Sequence, residues 1–126
     1  MTEKNQLYKC NICGNIVDVR HEGAGELTCC NAAMTLLVAG VEDAAVEKHV
    51  PTVEQKDGKI IVRVGEVEHP MEAEHYIEWI TLVTKDETKT VYLAPNDKPQ
   101  AIFESVEKAG TAYAYCNLHG LWKVEM

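Results

Sequence analysis

Nowhere in the 126 residues do 18 apolar side chains run together, which excludes a hydrophobic membrane-spanning helix. No run of lysine or arginine occurs either. With a formal net charge of −8, the chain lacks the basic surface that non-specific attraction to nucleic acid or an anionic membrane requires. The opening residues, Met1-Thr-Glu-Lys-Asn-Gln, contain no apolar core of signal-peptide length, so a cytoplasmic location is expected. Internal repeats and low-complexity segments are missing. What remains is a composition 46% apolar, that of an ordinary globular protein rather than a disordered or fibrous one.

The five cysteines are placed unevenly. Of five, Cys10, Cys13, Cys29 and Cys30 crowd the first thirty residues, while Cys116 stands alone beside His119. An odd number disfavours complete disulfide pairing, and in a reducing compartment tightly spaced cysteines are metal ligands or redox groups more often than bridges. The split predicts two metal sites. Four thiolates can close a tetrahedral site unaided, whereas Cys116 needs partners, and histidines are available to supply them.

Residues 1–37 hold the four clustered cysteines but too few large apolar residues for an independent core. A unit of that size needs a metal, disulfides or a partner chain to fold, which agrees with four thiolates on one ion. From residue 38 to 126 the pattern changes to short apolar or alternating runs at 52–55, 59–67, 77–84, 89–93, 101–104, 112–116 and 121–125. Turn signals separate them, as in Lys56-Asp-Gly-Lys59 and Asn117-Leu-His-Gly120. That cadence predicts an all-β antiparallel sandwich. Ile60, Val62 and Val64 alternate with Ile61 and Arg63, and Ile80 and Leu82 with Trp79, Thr81 and Val83. Only 42–48 and 32–38 have the pattern of a helical turn.

In the first group, Cys10-Asn-Ile-Cys13 puts two sulfurs around a tight turn, with Gly14 following so that backbone amides can face the cluster. Cys29-Cys30 supplies the other pair. Adjacent cysteines cannot build the second knuckle of a zinc ribbon, so they should distort the tetrahedron, and the pattern leans towards iron over zinc. Either ion would staple the unit.

In the second group, His49 and His69 lie next to or near prolines, in Lys48-His-Val-Pro51 and Glu68-His-Pro-Met71, and therefore at strand ends or in loops. His75 follows closely. Cys116-Asn-Leu-His119-Gly120 occupies a predicted turn that holds a thiolate near an imidazole. One such histidine alone reads as a surface or satisfied core residue. Four with a thiolate reverse that reading: they suit iron, copper or zinc, and on octahedral iron they leave one position vacant for a small ligand. His21, in a glycine-rich turn without a partner motif, is left out of the site.

Taken together, Glu47-Lys48-His49-Val50-Pro51, His69-Pro70-Met71-Glu72-x-x-His75 and Cys116-Asn117-x-His119-Gly120, behind Cys10-x-x-Cys13 and Cys29-Cys30, closely resemble the desulfoferrodoxin family of two-iron superoxide reductases. The resemblance covers the whole chain. It implies a desulforedoxin-like, metal-stapled N-terminal domain over 1–37 and an immunoglobulin-like sandwich over 38–126 that carries the catalysis. It also implies two iron ions per chain, one on Cys10, Cys13, Cys29 and Cys30, the other on His49, His69, His75 and His119 in a plane with Cys116 axial. Glu47 and Lys48 would reach over the open face. The implied activity is one-electron reduction of superoxide to hydrogen peroxide without dioxygen production. A rubredoxin-like protein would resupply the electron, and the chain would form a homodimer.

Two other readings compete. Cys116-x-x-His119 on a sandwich also suits a blue-copper electron carrier, but that site needs a nearby Met, and Met126 is far along the chain while the upstream histidine motifs would be surplus. A zinc-stapled interaction module would need an exposed apolar or basic stripe, which the sequence does not advertise.

Overall fold

The computed structural model describes residues 1–41, 49–65, 67–105 and 107–126. The expected helical turn at 42–48, with Glu47 and Lys48, lies outside the described residues. The chain divides into two compact units, Met1–Val38 and Ala39–Met126. Every regular element among the described residues is a strand, and no helix is long and apolar enough to cross a membrane.

The first unit contains β1 (Leu7–Lys9), β2 (Ile16–Asp18), β3 (Thr28–Cys29), β4 (Ala32–Ala33) and β5 (Thr35–Leu36). An antiparallel sheet in the order β2-β1-β5 accompanies a two-stranded β3-β4 hairpin. The helical turn expected over 32–38 is therefore wrong. Ala32 and Ala33 pair back onto Cys29 and Thr28, and Thr35 and Leu36 pair with β1, so ladder bonds override the helix preference of a short alanine-rich stretch. Only Thr2, Cys10 and Val19 of this unit are buried, too few for a hydrophobic core.

The second unit contains β6 (Pro51–Lys56), β7 (Lys59–Val64), β8 (Ile77–Val83), β9 (Thr88–Tyr92), β10 (Gln100–Glu104), β11 (Thr111–Cys116) and β12 (Gly120–Glu125). Two antiparallel sheets form, β10-β7-β6 and β12-β11-β8-β9. This is an immunoglobulin-like division, with the first, second and fifth strands in one sheet and the third, sixth and seventh, plus one added edge strand, in the other. Asp57 and Gly58, at φ 52° and 75°, form the two-residue hairpin between β6 and β7, the backbone that an Asp-Gly pair favours.

The alternation expected of the strands is present. Ile60, Val62 and Val64 of β7, Ile77, Ile80 and Leu82 of β8, Ala101 and Phe103 of β10, and Ala112, Ala114 and Cys116 of β11 form one buried cluster drawn from both sheets. Two irregularities break the pattern, and both sit at the same end. β7 stops at Val64, short of the expected 67, because Gly65 takes φ 84°. The amide of Gly65 then donates to Val50 O at 3.3 Å and that of His69 to Val64 O at 3.4 Å, which folds the chain back. In β8 the register against β11 slips by one residue, Tyr115 facing Trp79 but Cys116 facing Ile77. This bulge turns both Ile77 and Ile80 inward.

Ile80 has no exposed surface. Ile80→Ala should lower the unfolding free energy of the sandwich by about 2–5 kcal/mol, whereas a truncation at exposed Ile102 should stay within about 0.5 kcal/mol. Urea titrations of the two variants provide the comparison.

Candidate metal centres

In the first unit, β1 delivers Cys10 into a turn closed by Gly14 N–H to Cys10 O at 2.9 Å and by Cys10 N–H to Asn15 O at 2.9 Å. Inside that turn the amides of Ile12 and Cys13 point at Cys10 Sγ, at 3.4 and 3.5 Å. The second pair comes from a hairpin instead of a knuckle. Cys29 ends β3, and Cys30 and Asn31, at φ 53° and 58°, make the two-residue connection to β4. Positive φ at both central residues is what a type I′ connection requires, and it costs a non-glycine residue about 1 kcal/mol. An ion held by the four sulfurs would offset that cost.

The four sulfurs already stand at ligand spacing. Metal–sulfur bonds of about 2.3 Å in a tetrahedron place sulfurs about 3.8 Å apart. Here Cys13 Sγ lies 3.6 Å from Cys29 Sγ, and Cys29 Sγ lies 3.9 Å from Cys30 Sγ. The amides of Cys13 and then Ile12 bring the Cys10 thiol down to about 6. Cys30 is pushed up to about 12 by the thiols of Cys13, Cys29 and Cys10, and Cys29 is raised by Cys13 and Cys10. The group thus accommodates one thiolate readily and resists the next, so a cation is needed to hold four.

In the second unit, the strand ends bring five predicted ligands together. His49 enters β6, His69 and His75 lie in the connection from β7 to β8, Cys116 ends β11, and His119 sits in the turn to β12. Donor atoms of His49, His75, Cys116 and His119 all lie within 4.8 Å of one another. His49 Nε2 is 3.1 Å from His119 Nδ1, and Cys116 Sγ is 3.8 Å from the same nitrogen. Two nitrogens bound at about 2.1 Å and at right angles would be about 3.0 Å apart.

His69 stands outside that tight donor set but completes a ring of imidazoles. Successive centroids are 4.7 Å apart for His49–His69, 4.8 Å for His69–His75, 5.0 Å for His75–His119 and 4.8 Å for His119–His49, with a His49–His75 diagonal of 6.4 Å. The four rings form a near-square, each edge-on to its neighbours. His69 Nδ1–H donates to Pro70 O at 2.7 Å, which leaves the lone pair on its buried Nε2. Cys116, His49 and His69 are buried, His75 is partly exposed, and His119 is exposed. His21 is exposed and belongs to neither cluster.

Sequence reasoning gave no role to two side chains that hold these ligands. Asn117 Oδ1 accepts from the Tyr76 amide at 3.0 Å and its Nδ2 donates to Glu74 O at 3.0 Å, clamping the segment that carries His75. Trp122 stacks on His49 and donates to the His119 carbonyl. Asn117 lies within the Cys116–Gly120 motif, and Trp122 lies two residues past it. Neither residue type signals a supporting role until the partner loop is in place.

The desulfoferrodoxin family model matches residues 41–125, and the model of the desulfoferrodoxin N-terminal domain matches residues 2–37. A desulfoferrodoxin of Syntrophotalea carbinolica is 50% identical over 125 residues, covering 99% of each chain. Among solved structures, the superoxide reductase from Treponema pallidum superposes with a TM-score of 0.78 at 27% identity, over 94% of this chain and 96% of that one. A superoxide reductase from Giardia intestinalis, described as 1Fe-SOR, gives 0.57 at 35% identity, over 64% of this chain and 97% of its own.

Loading the metal-free four-cysteine group at pH 7.5 should release protons, since the raised thiols of Cys29 and Cys30 must ionise to bind. Affinity should therefore fall as pH falls. Cys10, brought down to about 6, adds its own proton only below that pH and steepens the loss. Zinc titrations between pH 5 and 8 with an indicator dye measure both the slope and the proton count.

Proposed function

The chain belongs to the desulfoferrodoxin family, and we propose that it is a superoxide reductase, turning superoxide into hydrogen peroxide by one-electron reduction without releasing dioxygen. The near-square of four imidazole rings with the Cys116 sulfur beside it carries this reading. Four neutral nitrogens and one thiolate fill five positions of an octahedral ion and leave the sixth to a small ligand. His49, His69, His75, His119 and Cys116 would hold that ion. That donor set fits iron, which when bound supplies the single electron and regains it from an external donor.

The side chains divide the remaining work. Cys116, fully buried at the end of β11, presents its sulfur where water does not compete for its lone pairs. Its negative charge raises electron density at the ion and favours giving an electron away. The Pro70 carbonyl fixes the His69 tautomer, so a neutral nitrogen faces the centre. Lys48 would draw the anion towards the centre and help order a water that delivers a proton. Glu47 would serve as the ligand that closes the open position of the oxidised centre.

Residues 1–37 form a desulforedoxin-like domain in which Cys10, Cys13, Cys29 and Cys30 hold a second iron, and residues 38–126 form the catalytic domain. The four-cysteine iron staples a unit that has almost no core of its own. The electron comes from a rubredoxin-like donor in the cytoplasm, and the chain works as a homodimer.

Anaerobic pulse radiolysis of the reduced protein should yield one hydrogen peroxide per superoxide consumed. Dioxygen accompanying the peroxide would mean dismutation and would sink the assignment. Lys48→Ala should slow the second-order reaction and flatten its ionic-strength dependence. Glu47→Ala should leave superoxide capture nearly intact while opening the oxidised centre to azide or cyanide.

A further inference from the structure

One side chain touches two of the four histidines at once, one through its ring and the other through its backbone carbonyl. The Trp122 indole, on β12, lies parallel to the His49 ring at a centroid distance of 4.8 Å and an interplanar angle of 16°. Its Nε1–H donates to the His119 carbonyl oxygen at 3.1 Å. These are the histidines whose nitrogens approach to 3.1 Å, which forms one edge of the square. They come from opposite ends of the unit, His49 from before the first strand and His119 from before the last.

The indole is itself held by the backbone of Gly40. Gly40 bridges to Trp122 as a short parallel partner, its amide donating to Leu121 O at 2.9 Å and its carbonyl accepting from the Lys123 amide at 3.0 Å. A Cβ on Gly40 would meet Trp122 Cε3 and Cζ3 at 2.7 Å, so only glycine lets the backbone lie flat against the ring. The close approach of Gly40, the stacked imidazole and the carbonyl at the N–H together restrict the orientation of the indole.

We propose that Trp122, seated on Gly40, is the positioning residue for the His49–His119 edge of the metal square. Through it β12 sets the separation of two ligands before a metal arrives. Stacking fixes the plane of His49, and the hydrogen bond fixes the turn from which His119 projects. The proposal rests on the reading that these imidazoles bind one ion, and its test separates the two.

The full-length chain is loaded with cobalt(II) at both centres. Exchangeable imidazole N–H resonances shifted by the ion can arise only from the histidine centre, because the other group has no histidine. In Trp122→Leu, two of the four signals, those of His49 and His119, should move while the His69 and His75 signals hold, and cobalt affinity at this centre should fall about 10–100-fold. The four-cysteine centre should keep its affinity. Trp122→Phe, which retains a stacked ring without the N–H, should recover part of the loss, and Gly40→Ala should reproduce it with the tryptophan still present. If Trp122→Leu does not fold, the Phe and Gly40 variants give the same comparison. Unchanged affinity and unchanged signals in the variants would overturn the positioning role alone. A wild-type chain showing no shifted imidazole signals would overturn the metal reading together with it.

Discussion

The register of β11 against its two neighbours is the constraint on which the histidine centre depends. Cys116 is the last residue of β11, paired with Gly120 on one side and, across the bulge, with Ile77 on the other. The first pairing sets the turn that carries His119, and the second sets where the His75 segment ends and β8 begins. A one-residue slip would send Cys116 to the outer face and carry both histidines away with it. The register is secured by Ala112, Ala114, Ile80 and Leu82, which are buried only in this alignment. Core packing and ligand geometry are thus set by one alignment, so the site is assembled at the cost already met in forming the sandwich.

The other unit reverses that relation. With three buried residues it has no comparable packing to position its sulfurs, and its ligands lie on the shortest elements of the chain. Cys10 is placed by hydrogen bonds of its own turn, and Cys30 by a positive-φ hairpin that side chains alone would not favour. One centre is held by its protein, and the other holds its protein. A ligand lost from the square should leave a folded sandwich with a damaged site, while a ligand lost from the four-cysteine group removes the main support of its unit.

Much of this was legible in the sequence because alternation and turn chemistry are local. The seven strands of the sandwich begin and end within a few residues of their expected places, and Ile60, Val62 and Val64 face the core as their spacing predicts. The metal-ligand residue types announced themselves by chemistry alone. What was not legible depends on partners distant in sequence. The Ala32–Leu36 stretch has a helix-compatible composition, and only its pairing with β1 and β3 makes it strand. Nothing in the composition of β8 marks the bulge at Glu78, which exists to reconcile its register with Cys116. Asn117 and Trp122 are ordinary polar and aromatic residues until the segments they hold, 74–76 and His49, are folded against them.

Charge separates the two centres as sharply as packing does. Four thiolates around a divalent ion leave two net negative charges, which repel an anion and suit a centre that holds structure or passes electrons. One thiolate and four neutral imidazoles leave a divalent ion with one net positive charge, in a chain whose total is −8. The histidine centre is then a place where superoxide, itself an anion, is drawn in against the field of the rest of the protein. Burial sets the direction of approach. Cys116 belongs to the hydrophobic cluster and has no exposed surface, whereas His119 is exposed, so the core closes the sulfur side and a small ligand would reach a bound ion away from it. With Cys116 among the core residues, the single negative ligand of such a centre would lie on the side that the sandwich closes, away from an approaching anion.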